Sequence, residues 1–112
     1  MDLDFEDKFR NCIKKIAQTG ELYAEAKGQS WQMQEMKSSV LASMMQNLPN
    51  MAVSKAEITA KASLAYVQHL EETAKAIKKE LQLKSQYEMW KASFEALRSL
   101  SSLEKATRNL SE

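Results

Sequence analysis

The segment Asn47–Ser54, NLPNMAVS, is the strongest interruption in this chain of 112 residues. Pro49 lacks a backbone N–H and disfavours helical geometry at the residue before it. Ser54-Lys-Ala-Glu57 follows directly, and this spacing of serine and glutamate is the pattern of a capping box, which starts a helix. The segment therefore predicts a turn at 47–54 that separates two helices.

The composition around this turn predicts an all-α protein. Only two glycines and one proline occur, whereas strong helix formers such as Ala, Lys, Glu, Gln and Leu are abundant. We expect a single domain over 1–112, with helix one at about 4–46 and helix two at about 55–108. Asp2 or Asp4 can cap helix one. We favour one continuous first helix, bent or locally weak near Gly20, over a true break at that glycine.

Apolar residues repeat at helical spacing along both predicted helices. In helix one they are Phe5, Phe9, Ile13, Ile16, Tyr23, Met33, Met36, Val40 and Met44. In helix two they are Ala60, Ser63, Val67, Leu70, Ala74, Ile77 and Leu81, and then, in a new phase, Leu83, Tyr87, Trp90, Phe94 and Leu97. Either helix two wraps around its partner, or the second set meets a different partner.

One short turn between two long helices predicts a long antiparallel helical hairpin with coiled-coil-like packing. Facing residues then have numbers that sum to roughly 100. This rule places Phe9 opposite Trp90 and Phe94, Tyr23 opposite Ile77, and Met33 opposite Val67. Because two helices bury only one stripe each, we also expect self-association into a helical bundle.

Several classes of function are disfavoured by composition. The net charge is +1, from 16 basic and 15 acidic residues, so no global field attracts the protein to a polyanion. Cys12 and His69 are the only residues of their types. We expect Cys12 to be a buried thiol and His69 to be a partly exposed helix residue. We predict no enzymatic activity, no cofactor and no metal site.

The amino-terminal sequence MDLDFEDKF is acidic and has no apolar core of a signal peptide. No apolar run approaches the roughly 20 residues that a membrane helix requires. A soluble, cytoplasmic protein without a membrane partner is the expectation.

Charged residues of helix two form a second regular row. Lys84, Glu88, Lys91, Glu95, Arg98, Ser102 and Lys105 follow one another at spacings of four and three. Because the signs alternate, the simplest interpretation is a solvated helix face with local ion pairs. The row becomes more basic after Glu95, and Lys78 and Lys79 lie close together earlier in the helix, so a local anion-binding patch is the alternative.

The segment from about Leu22 to Lys105 resembles small helical-hairpin proteins that tailed bacteriophages encode beside recombination and replication genes. The resemblance rests on Tyr23-Ala-Glu-Ala-Lys27, on the paired methionines before the turn, and on Arg98-Ser99-x-x-Ser102-x-x-Lys105. The family usually has a tryptophan directly before the Arg-Ser pair. Here that position is Leu97, and Trp90 lies seven residues earlier.

The resemblance implies an accessory protein of phage DNA recombination in the host cytoplasm. Such a protein contacts single-stranded DNA, a recombinase or both. The implied DNA-contacting residues are Lys78, Lys79, Lys84, Lys91, Arg98, Ser99, Ser102, Lys105 and Arg108. The alternative function is a protein-interaction module, either an assembly scaffold or a phage inhibitor of a host protein, without nucleic-acid binding.

Overall fold

The computed structural model describes residues 3–48 and 50–111, and these form three helices without a strand. Helix α1 is Leu3–Gln46, α2 is Val53–Lys61 and α3 is Leu64–Ser111. The predicted all-α class and the long helical hairpin are confirmed. The expected roles of Asp2 and Pro49 fall outside the described residues.

Helix α1 is continuous through Gly20, so the alternative of a break there is wrong. Gly20 lies where a side chain of α3 packs closely against the backbone of α1. A Cβ atom at Gly20 would lie 3.0 Å from Cε1 of Tyr87, whereas a Cβ atom at Gly28 would have no neighbour within 4 Å. Gly20 therefore makes room for a ring, while Gly28 only weakens the helix.

The predicted second helix, about 55–108, is divided into α2 and α3 at Ala62 and Ser63. The Ser63 hydroxyl accepts a hydrogen bond from the backbone N–H of Tyr66 at 3.3 Å and donates one to the carbonyl of Ala60 at 2.6 Å. Ser63 is therefore the N-cap of α3. A serine alone carries this break, without the glycine or proline that marks most interruptions in a sequence.

The predicted capping box at Ser54 and Glu57 is wrong. Ala52 occupies the N-cap position of α2 and makes no side-chain capping bond, so Ser54 lies inside the helix. Glu57 instead forms an ion pair with Lys61 at 3.0 Å, one helical turn further on. Hydrogen bonding and the charge of this carboxylate raise the pKa of Lys61.

The packing separates into two compact units. The terminal unit combines Met1–Ala24 with Gln82–Glu112, and the turn unit is Glu25–Leu81. In the terminal unit both helices present aromatic residues to each other. The rings of Phe9 and Phe94 meet edge to face with centroids 5.4 Å apart, which confirms that predicted pair. Tyr23, expected opposite Ile77, instead has its ring centroid 6.1 Å from that of Tyr87.

The turn unit is packed with small and polar side chains. Ala26, Ala56, Ala60 and Tyr66 are its buried hydrophobic residues, and the buried Ser30 accepts a hydrogen bond from the Gln34 amide at 3.0 Å. Small side chains at a helix contact let two helix axes approach closely. Among the described residues no buried side-chain polar atom lacks a hydrogen-bond partner.

Contacts across the turn unit correct the predicted apolar set of helix two. The half-buried His69 forms a hydrogen bond from Nε2 to the carbonyl of Met33 at 3.1 Å, in the place expected for Val67. Val67 and Leu70 are exposed instead. A row of buried or half-buried positions runs along α3 at intervals of three or four residues without a change of phase. We call this row the seam: Tyr66, His69, Thr73, Ala76, Glu80, Leu83, Tyr87, Trp90, Phe94, Leu97, Ser101 and Glu104.

The two glycines of α1 offer a matched test of the packing around Tyr87. Gly28→Ala should raise the free energy of unfolding by about 0.5–1 kcal/mol, because alanine restricts the unfolded chain and meets no neighbour. Gly20→Ala should raise it less, or lower it, because the added Cβ atom forces the Tyr87 ring to move. Urea denaturation of both variants measures the difference. Equal stabilisation would show that Tyr87 does not pack on Gly20.

Two serines test where helix α3 begins. Ser63→Ala should lower the free energy of unfolding by about 1 kcal/mol, because α3 loses its N-cap hydrogen bond. Ser54→Ala is the control and should change stability by less than about 0.5 kcal/mol, since an exposed serine inside a helix is replaced by a better helix former. The reverse order of effects in urea denaturation would restore the capping box at Ser54.

Candidate nucleic-acid interface on helix α3

The nine side chains predicted to contact DNA are all exposed on α3. Lys78 and Lys79 belong to the turn unit, and the other seven, from Lys84 to Arg108, belong to the terminal unit. Consecutive positions of a helix point about 100° apart, so Lys78 and Lys79 face different directions. The predicted contacts that belong to one compact unit and can share one helix face are therefore those of the terminal unit.

Four cations of the terminal unit recur at intervals of seven residues: Lys84, Lys91, Arg98 and Lys105. Seven residues are close to two helical turns, so these cations lie on one face of α3 about 10 Å apart. Glu88 and Glu95 lie between them on the same face, and Ser102 takes the next such position. The row is hence mixed in charge as far as Glu95 and free of carboxylates from Arg98 to Lys105.

A shallow, open depression of about 450 Å³ lies at this change of charge. It is lined by Glu95, Arg98, Ser99, Ser102 and Leu103, so it contains three of the predicted contacts. A guanidinium beside two hydroxyl groups can donate hydrogen bonds to phosphate oxygens, and such contacts do not depend on base sequence. The depression is suited to a surface contact and does not enclose a small molecule.

Several of these cations already have partners within the protein. Arg98 donates from Nη1 to both carboxylate oxygens of Glu95, at 3.2 and 3.4 Å. Arg108 lies 4.0 Å from the carboxylate of Glu104, and the Lys91 ammonium lies 4.6 Å from the centre of the Tyr87 ring. Exposed ion pairs of this kind are weak, about 0–1 kcal/mol each, so a phosphate can compete for the cation.

Lys84 and Lys105 differ from the other cations of the row. Within the described part of the chain, neither ammonium group has an ion-pair partner within 4.0 Å. Both side chains are therefore ready to meet an external anion without first breaking an ion pair.

Sequence reasoning missed the structural role of His69, because a single polar residue in a helix has no pattern that identifies it as an interhelical hydrogen-bonding group. Its bond to Met33 places the imidazole in the helix contact, away from the cation row. Among the described residues no cluster of three His, Cys, Asp or Glu side chains is arranged to hold a metal ion. In the same part of the chain, no helix combines the length and apolar character that crossing a bilayer requires.

The fold is that of a long helical hairpin, and its helix α3 carries an exposed row of cations. No family model, curated protein or solved structure shows significant similarity to this chain. The resemblance to phage hairpin proteins stays a prediction that rests on the sequence motifs alone.

Proposed function

We propose that this protein is a non-enzymatic accessory factor of phage DNA recombination, which contacts single-stranded DNA, a recombinase or both. The observation that carries the proposal is the exposed cation row of α3, whose last three positions are Arg98, Ser102 and Lys105. Ser99 lies beside Arg98 in the same depression, and the nearest carboxylate of this segment, Glu104, belongs to the neighbouring seam. The proposal also draws on the Arg-Ser-x-x-Ser-x-x-Lys motif that resembles the phage proteins. Binding takes place on a helix surface, through the phosphate backbone.

The charge arrangement sets the expected strength of the contact. Glutamates within the row repel phosphate, and the net charge of +1 adds almost no long-range attraction. If four cations each neutralise one phosphate, the logarithm of the affinity should fall with the logarithm of the salt concentration at a slope of about −3. We therefore expect weak, strongly salt-dependent binding without preference for base sequence.

Removing the cations at the end of the row should reduce DNA binding without unfolding the hairpin. The triple variant Arg98→Gln, Lys105→Gln, Arg108→Gln should bind a fluorescent single-stranded oligonucleotide at least about tenfold more weakly at low salt, because two cations of the row and the neighbouring Arg108 no longer attract phosphate. Fluorescence anisotropy measures the affinity, and circular dichroism confirms that the helices remain.

The control for this variant removes the same charge elsewhere. Lys8→Gln, Arg10→Gln, Lys14→Gln also removes three exposed cations of the terminal unit, but from α1. Equal weakening by both variants would mean that the protein responds only to net charge. Absence of binding by the native protein at high micromolar concentration, with or without a recombinase, would overturn DNA contact.

Releasing Arg98 from its intramolecular partner should strengthen binding. Glu95→Gln removes the carboxylate that accepts both hydrogen bonds from Arg98, and it also removes repulsion of phosphate. The variant should bind the oligonucleotide about three- to tenfold more tightly than the native protein, with a steeper salt dependence. Glu21→Gln, which changes an exposed glutamate of α1, provides the matched change of charge and should have a smaller effect. Equal gains in both variants would count against a role for the Arg98 region.

A second function is favoured by a different observation, the exposed apolar side chains of α3. Met89 and Leu103 are 53% and 65% exposed, which suits a protein-interaction module that binds another protein and no nucleic acid. Affinity capture from infected cells distinguishes the two functions. One stoichiometric host protein without nucleic acid supports the interaction module, and a recombinase recovered with single-stranded DNA supports the accessory factor.

A further inference from the structure

An apolar stripe on α3 in the turn unit remains exposed to solvent along most of its length. It consists of Val67, Leu70, Ala74, Ile77 and Leu81, spaced alternately by three and four residues. Val67, Leu70 and Leu81 are 37%, 38% and 53% exposed, and Ile77 is half-buried. We call these five residues the second stripe. Its regular spacing distinguishes it from isolated apolar residues on a surface.

The second stripe is distinct from the seam that packs against α1. Each of its members follows a seam residue by one position, as Val67 follows Tyr66 and Leu70 follows His69. One residue corresponds to about 100° of rotation, so the stripe lies to one side of the hairpin contact. A helix that carries two apolar stripes at coiled-coil spacing can pack against two different helices.

The second stripe ends sharply at Leu81. The next positions of the same spacing are Lys84, Glu88 and Lys91, which are charged and exposed. The apolar surface therefore extends over about fifteen residues from Val67 to Leu81, about 21 Å along the helix. This is about four turns, long enough for one helix to lie along it and too short for the whole of α3.

The charged residues beside the second stripe complement those of a second, antiparallel copy of the stripe. Glu71 follows Leu70, Lys75 follows Ala74 and Lys78 follows Ile77, so all three border the stripe on the edge away from the seam. We propose that the second stripe binds the same stripe of a second copy of this chain, antiparallel, about a two-fold axis at Ala74. Glu71 of each copy then lies opposite Lys78 of the other, and this pairing occurs twice. The two Lys75 side chains lie near the axis, and because they are exposed their long stems can turn the ammonium groups into solvent.

A parallel arrangement lacks these two ion pairs, because Glu71 and Lys78 then lie across from Tyr66 and Thr73 on the seam side of the stripe. The small side chain of Ala74 at the axis allows the two helices to approach closely. This inference concerns self-association alone. It does not depend on DNA binding, so the failure of either proposal leaves the other standing.

The test compares two leucines of equal exposure. Leu81→Glu places a charge in the second stripe, whereas Leu100→Glu places one on α3 outside it, at 54% exposure against 53%. Sedimentation equilibrium should show a native dimer at micromolar concentration and an unchanged dimer for Leu100→Glu. For Leu81→Glu the dimer dissociation constant should rise at least about tenfold, because the two-fold axis presents each substitution twice. Circular dichroism establishes that both variants are helical.

A native protein that stays monomeric at about 100 micromolar would overturn the proposal, because a dimer with a dissociation constant in the micromolar range is mostly associated at that concentration. The same conclusion would follow if Leu81→Glu and Leu100→Glu had equal effects.

Exchange of the edge charges tests the antiparallel orientation. Glu71→Lys and Lys78→Glu each place like charges across the axis, so each variant alone should dimerise more weakly than the native protein. An equal mixture of the two variants should regain association, since residues 71 and 78 are then both lysine in one variant and both glutamate in the other. A mixture that associates no more strongly than its components would contradict the antiparallel pairing.

Discussion

The packing of this protein depends on the narrow contact between two long helices, α1 and α3. A helix can present only one stripe to a single neighbour, so the interior is thin. Cys12, Ala26, Ala56, Ala60 and Tyr66 are the buried hydrophobic residues in the part of the chain that the structure describes. Because little apolar surface is buried, the stability of the hairpin depends strongly on close packing at each contact and on a hydrogen-bond partner for each buried polar group.

The two units meet this constraint in different ways. The terminal unit uses large rings, including the edge-to-face pair of Phe9 and Phe94 and the Tyr87 ring, which packs closely at Gly20. The turn unit uses small side chains and hydrogen bonds, such as that from His69 to the Met33 carbonyl. Both leave helix surfaces exposed, a cation row in one unit and an apolar stripe in the other.

The positions of the candidate site along α3 could be predicted from the sequence, but the contacts of its side chains could not. Spacing alone placed Lys84, Lys91, Arg98 and Lys105 on one helix face, because a continuous helix converts spacing directly into direction. It did not reveal that Arg98 is held by Glu95 or that Lys91 lies over Tyr87. Those contacts depend on side-chain conformation, for which several local arrangements have similar energy.

Composition and local pattern determined the all-α class, the turn near Pro49 that divides the chain and the pairing of Phe9 with Phe94, since these follow from helix propensity and from antiparallel geometry. Tertiary structure alone decided where helix two breaks, through the cap at Ser63, and which of two adjacent stripes of α3 packs against α1. Both stripes share the same spacing, so periodicity cannot choose between them. Hydrophobicity favoured the wrong stripe, because the hydrogen bond that makes His69 acceptable in the contact exists only once the two helices have met.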